Sequence, residues 1–189
     1  MKRLLFAAAL CCASVAHAGL ISGFNGPFSV GNWTSSPDTG SISTVTAPGA
    51  LVLTSGDEAL PAPALAFTSF YIRFGTDATV SFSWIYDTTD SEPFNDPFGY
   101  VLADTEAGLL DGFGQLTDDA GSLVQSGSSM VVVSTGQYFG FAIQSDKLGG
   151  PATATVNGLR FDVPEPGSLA LLAAALAAAA ATTRRRRAA

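Results

Sequence analysis

Apolar and polar positions alternate with period two through most of the chain from residue 64 to residue 163. Phe70, Ile72 and Phe74 point one way, while Ser69, Tyr71 and Arg73 point the other. Val80, Phe82, Trp84 and Tyr86 make a second apolar face opposed by Thr79, Ser81 and Ser83, and Phe139, Phe141 and Ile143 make a third. This period places successive side chains on opposite faces of an extended strand. Further strands are expected over 42–46, Ala50–Thr54, Phe98–Ala103, 130–134 and Ala152–Val163, with turns at Pro48-Gly49, Gly75-Thr76-Asp77, Gly127, Thr135-Gly136 and Gly149-Gly150-Pro151. In the last of these strands Ala154 and Val156 occupy even positions, whereas Leu159, Phe161 and Val163 occupy odd ones. The intervening Asn157-Gly158 therefore predicts a bulge or tight kink. No stretch from 19 to 163 keeps a helical period. Nine or so short strands with Gly/Pro turns predict an all-β domain, an antiparallel β-sandwich of jelly-roll type.

The two ends break this pattern. Met1-Lys2-Arg3 is a basic start, residues 4–15 are apolar, and Ala16-His17-Ala18 is a small-x-small cleavage site. Together they read as a secretory signal peptide over 1–18, removed by signal peptidase to leave Gly19 as the first residue. At the other end Pro164-Glu165-Pro166 halts regular structure. An uncharged run from Leu169 to Thr183 follows, and then Arg184, Arg185, Arg186 and Arg187. The run predicts a membrane helix, with the arginines marking its cytoplasmic end. Fifteen residues of helix reach roughly 22 Å against a hydrocarbon core of about 30 Å, so the span is short. Nine of the thirteen residues 169–181 are alanine, which makes it a weak anchor as well. The expected division is 1–18 signal peptide, 19–163 β-sandwich and 164–189 sorting signal.

The order of Pro164-Glu165-Pro166, apolar run and Arg184, Arg185, Arg186 and Arg187 resembles the PEP-CTERM sorting signal of Gram-negative bacteria. The resemblance implies processing by an exosortase, a membrane-embedded peptidase. It also implies transient residence in the inner membrane, delivery to the cell surface or beyond, and an association with exopolysaccharide and biofilm.

Composition narrows the chemistry of the body. Both cysteines (Cys11, Cys12) and the one histidine (His17) lie in the signal peptide. Residues 19–163 thus offer no disulfide, no cysteine or histidine nucleophile pair, no Ser-His-Asp triad and no thiolate or imidazole zinc site. No catalytic residue is assigned. The body holds three basic residues (Arg73, Lys147, Arg160) against fifteen acidic ones, a net charge of −12. Such a surface repels phosphate backbones, so nucleic acid is excluded as a partner.

One loop concentrates the acidity. Residues 87–97, Asp-Thr-Thr-Asp-Ser-Glu-Pro-Phe-Asn-Asp-Pro, carry Asp87, Asp90, Glu92, Asn95 and Asp96 between two predicted strands. Five hard oxygen ligands within ten residues suit calcium in a structural role, with Asp87, Asn95 and Asp96 foremost, although the spacing is not that of an EF-hand. Asp104, Glu106 and Asp111, or Asp118-Asp119, are candidates to fold back onto it. The segment Phe94-Asn95-Asp96 before its strand also resembles an "Asn-Asp" turn of exported PEP-CTERM sandwich domains, which implies the same calcium position. Asp87 with Asp104 forms the pair that a small glycosidase would need. Trp33, in a Gly/Ser/Asn/Thr setting, is the candidate exposed aromatic, with Tyr71 as its partner in a sugar-stacking platform, whereas Trp84 belongs to the core. The expected function is a non-catalytic, exosortase-sorted surface or matrix protein with a structural or adhesive role beside exopolysaccharide. A carbohydrate-binding module with its own glycan ligand is the alternative, and a small glycosidase is a third.

Overall fold

The computed structural model describes residues 19–57, 66–145 and 149–164. The chain divides into two units, one of them Leu20–Val163. The signal peptide with Ala16 and Ala18, and the tail from Glu165 through Pro166 to Arg187, lie outside the described residues. Among the described residues no helix is long and apolar enough to cross a membrane.

Eleven strands follow in order: β1 Gly19–Ser22, β2 Thr34–Ser36, β3 Ser41–Ser43, β4 Ala50–Thr54, β5 Ala66–Arg73 and β6 Ala78–Thr88. Then come β7 Phe98–Ala103, β8 Phe113–Gln115, β9 Val124–Val133, β10 Tyr138–Ser145 and β11 Ala152–Val163. One sheet runs β3-β4-β11-β6-β9 with β1 also on β11, and the other runs β2-β5-β10-β7-β8. The antiparallel partners nest: β4 with β11, β5 with β10, β6 with β9 and β7 with β8. A single long hairpin, its tip between β7 and β8, is thus rolled into two facing sheets. That is a jelly roll.

The alternation read from sequence sets which face each strand buries. Val80, Phe82, Trp84 and Tyr86 of the first sheet and Phe70, Phe139, Phe141 and Ile143 of the second are all buried between the layers. Each such side chain contributes about 1.5–3 kcal/mol by leaving water. The ring of Phe82 meets that of Phe141 edge-on at 4.9 Å, across the gap between sheets. On β11 the register shifts between Asn157 and Arg160, with Gly158 at φ +59°. That left-handed residue brings Leu159 and Phe161 back into the core after the phase change.

Three strands escaped the period-two reading. β1, β2 and β8 are four, three and three residues long. β9 begins at Val124, six residues before the expected 130, held by its pairing with β6; Gln125-Ser126-Gly127-Ser128-Ser129 lacks the apolar alternation and strand propensity that would announce it. The strand expected over 42–46 is present as β3 but ends early, at Ser43, ahead of a turn over residues 45–49.

Candidate functional site

The acidic loop grows out of the end of β6. Thr89 is pinned there by two bonds to the Pro151 carbonyl, from its amide at 3.2 Å and its hydroxyl at 3.0 Å. The Asp90 amide then donates to the Thr88 hydroxyl at 3.0 Å, turning the chain inward. Pro93–Asn95 forms a 3₁₀ turn, closed by the Asp96 amide on the Pro93 carbonyl at 3.3 Å.

The five predicted ligands part company in this geometry. Asp90 and Asp96 are buried, 4% and 1% exposed. Asn95 is half-buried, and Asp87 and Glu92 are exposed. The cause is the unbroken alternation of β6. Tyr86 and Thr88 face inward, so Asp87 between them faces solvent on the outer side of the first sheet. Among the described residues no three Asp, Glu, His or Cys side chains gather closely enough to hold a metal ion. The expected five-ligand set, and Asp87 as one of its foremost members, is therefore not assembled there.

Asp90 and Asp96 do share a location at the rim of the sandwich. Asp96 Oδ2 accepts from the Ser55 hydroxyl at 3.1 Å, and that same hydroxyl accepts from the Ala152 amide at 2.8 Å. This chain of bonds ties the loop to the end of β4 and the start of β11. Asp90 Oδ1 accepts from the amide and the hydroxyl of Ser91. Asp90 Oδ2 is buried without a hydrogen-bond partner among the described residues. The carboxylate lies against Gly149, where a Cβ would sit 2.4 Å from it, so only glycine fits beside Asp90. Tyr86, fully buried below, donates to the Pro93 carbonyl at 3.4 Å. Burial, and then the negative charges of Asp96, Asp90 and Asp87, push its hydroxyl up to about 12, with a bond to Thr88 opposing them. Sequence reading missed Ser55 and the packing of the turn residue Gly149 against Asp90, because both lie 35 or more residues from Asp90 along the chain.

The other acidic residues lie apart. Asp104 follows β7, which carries the chain on the order of 17 Å away from the loop. It accepts there from the Gln137 side chain at 2.9 Å. Asp87 and Asp104 therefore do not face each other, and the glycosidase pair is lost. Asp118 Oδ1 accepts from the Ala120 amide at 3.0 Å, and Asp119 Oδ1 accepts from Gln115, so both serve their own turn.

Trp33 is not on the surface. It is 7% exposed and stacks on Phe70 at 5.0 Å, with Nε1 donating to the Phe28 carbonyl at 2.9 Å. Two 3₁₀ turns, Gly26–Phe28 and Val30–Asn32, fold the segment after β1 so that Phe24, Phe28 and Trp33 all enter the core. Its polar neighbours suggested exposure, but the aromatic spacing was the informative signal. Trp84 is in the core, as expected. Tyr71 does lie on an outer face, although it is 7% exposed and its hydroxyl donates to Glu106 Oε1 at 2.7 Å.

No curated protein matches the chain. Among solved structures it is similar to the K3 cleaved adhesin domain of Lys-gingipain from Porphyromonas gingivalis, at 13% identity and a TM-score of 0.42, covering 76% of this chain and 98% of that one. It is also similar to the family 11 carbohydrate-binding module of a cellulosomal cellulase of Clostridium thermocellum, at 10% identity and a TM-score of 0.40, covering 79% and 96%. A third is the N-terminal cellulose-binding domain of Cellulomonas fimi β-1,4-glucanase C, at 11% identity and a TM-score of 0.37, covering 80% and 99%. The family comparison concerns the end of the chain. Residues 162–187, from within β11 through Arg187, match the model of the PEP-CTERM protein-sorting motif, so the chain carries that sorting signal directly behind its last strand.

Proposed function

We propose that this is an exported, exosortase-sorted surface or extracellular-matrix protein whose jelly roll is non-catalytic and serves a structural or adhesive role beside exopolysaccharide. The observation that carries the reading is the sorting motif at 162–187. It begins inside β11, so in the sequence the motif overlaps the end of the body. The short alanine-rich run behind Pro164-Glu165-Pro166 suits temporary residence in the inner membrane. A non-catalytic role is supported by the absence of Cys and His from residues 19–163, and by the separation of Asp87 from Asp104.

Following the protein in cells with and without the exosortase-type peptidase tests the sorting. The tail is expected to be lost from the mature protein only where the peptidase is present, and an identical C-terminus in both strains would refute it. Co-fractionation with exopolysaccharide tests the matrix role.

Calcium enters this reading as a structural ligand of Asp90 and Asp96, supported by the buried, unpartnered Asp90 Oδ2. A cation there would neutralise carboxylates in a body of net charge −12 and stiffen the rim. Millimolar calcium is expected to raise the melting temperature relative to chelator, and Asp90→Asn is expected to abolish the shift. Equal melts with calcium and chelator would remove calcium from the account. A second reading, a module with its own glycan ligand, draws on the cleft described next.

A further inference from the structure

The outer face of the second sheet holds a cleft whose lining specifies a ligand class. After β7 the tip of the rolled hairpin, residues 104–112, folds back over β5. Thr105 caps the 3₁₀ turn Glu106–Gly108, its hydroxyl accepting from the Gly108 amide at 3.2 Å, and this places the Glu106 carboxylate over Tyr71. Leu109 drops onto Tyr71, Val101 and Ala142 and holds the excursion down. The facing wall comes from β2, where Ser36 lies directly across from Ser69 of β5. The turn beyond it is fixed by the Thr68 hydroxyl donating to the Pro37 carbonyl at 2.7 Å. That turn holds Asp38 at φ 42°, a left-handed backbone that few non-glycine residues adopt.

Between these walls lies a cavity of about 360 Å³, within the ~300–1,000 Å³ typical of small-molecule sites. Ser69 and Tyr71 form its floor, Phe67 and Leu110 its apolar sides, and Ser36, Asp38 and Glu106 its polar rim. Ser69 is 6% exposed, lines the cavity, and has no hydrogen bond to its hydroxyl among the described residues. That hydroxyl faces the cavity free to bond a ligand group.

The lining holds hydroxyls and carboxylates beside apolar side chains, with no Lys, Arg or His among the described residues. Carboxylates only accept, so the ligand must supply O–H donors around its edge and offer an apolar face to Phe67 and Leu110. A sugar ring has that form. Uronate or sulfate groups would set like charges against Asp38 and Glu106. We propose that this cleft binds a neutral sugar unit of a polysaccharide, with Glu106 and Asp38 accepting from its hydroxyls and Ser69 bonding it from the floor. The proposal rests on the polysaccharide association above and names the place where that contact is made.

The test uses the full-length chain in detergent. Binding is measured to a panel of neutral gluco-, manno-, xylo- and galacto-oligosaccharides and to oligogalacturonate, alongside co-sedimentation with exopolysaccharide. Glu106→Gln removes the charged acceptor, and Ser36→Trp fills the cleft from an exposed position that leaves the core alone. Binding to at least one neutral series, weakened at least tenfold in both variants while the Ser36→Trp melting temperature is unchanged, is the expected result. Undiminished neutral-sugar binding by both variants would overturn the cleft and leave the matrix reading standing. Preference for oligogalacturonate would overturn the ligand class. Failure of the wild-type chain to co-sediment with the polymer would overturn the matrix reading itself, whatever the oligosaccharides show.

Discussion

The outer faces of the two sheets were built to opposite specifications. On the first sheet Thr79, Ser81 and Ser83 of β6 and Thr153, Thr155 and Asn157 of β11 stand toward solvent, with Ile85, Met130 and Val132 exposed among them. On the second, Tyr71, Val101 and Ala142 are buried a second time, under residues 104–112, with Phe67, Phe113 and Tyr138 packed around them. A sheet that alternates cleanly needs one cover, whereas one that is apolar on both sides needs two. The second cover is what creates a walled cleft, so one jelly roll carries a plain face and a furnished one.

The largest effect that would break this contrast is a truncation on each face. Leu109→Ala is expected to cost about 2 kcal/mol or more, because it empties a buried contact. That is about 4–8 °C in melting temperature for a chain of this size. Ile85→Ala, 49% exposed on the plain face, is expected to stay within about 0.5 kcal/mol. Equal losses in thermal melts would mean that residues 104–112 do not cover the second sheet.

A smaller effect sharpens the contrast by pH. Burial, then the hydrogen bond and charge of Glu106, and last Tyr138, push the Tyr71 hydroxyl up to about 12. Tyr86 reaches about 12 for reasons of its own beneath the rim. A raised folded-state value contributes stability that is complete below the unfolded value near 10 and is lost as pH rises through 12. Urea melts from pH 9 to 12 should show stability falling across that window. Tyr71→Phe should remove only the part of the fall that belongs to the furnished face. An unchanged slope in that variant would place Tyr71 in open solvent.

The smallest expected effect lies in neither face. Asp77, in the turn before β6, accepts from the Thr135 amide at 2.7 Å and its hydroxyl at 2.8 Å, and those bonds, the amide first, lower its carboxyl. A lowered value gives stability present above the unfolded carboxylate range near 4 and lost as pH falls below it. Asp77→Asn is expected to flatten that acid limb slightly in melts between pH 5 and 2, with little change at pH 7.

Legibility in the sequence followed the range of the interaction. The strands β6, β10 and β11, with the bulge at Asn157-Gly158, announce themselves because alternation is a local property of ten or so residues. The jelly-roll pairing was within reach for the same reason, once enough strands were in hand. The cleft was half visible: Phe67 and Tyr71 on the polar side of β5 show that this face is not simply wet. Nothing local says that Glu106 returns to Tyr71 across 35 residues, or that Ser55 meets Asp96 across 41. Trp33 misled because its immediate neighbours are polar, while its partners Phe70 and Phe141 lie far along the chain.

The place of β11 has a mechanical meaning. The strand that runs into the sorting motif lies in the interior of its sheet, laddered to β4 on one side and to β6 on the other, and β1 also pairs with it. A pull on Val163 is therefore taken up by β6 along residues 152–157 and 160–162 on one flank and by β4 along 153–157 on the other. Pulled along its own axis, the strand slips only when both ladders give way together, where an edge strand has one ladder to lose. Tension entering at the C-terminal end of the body thus meets the most extensively paired strand of its sheet before any other.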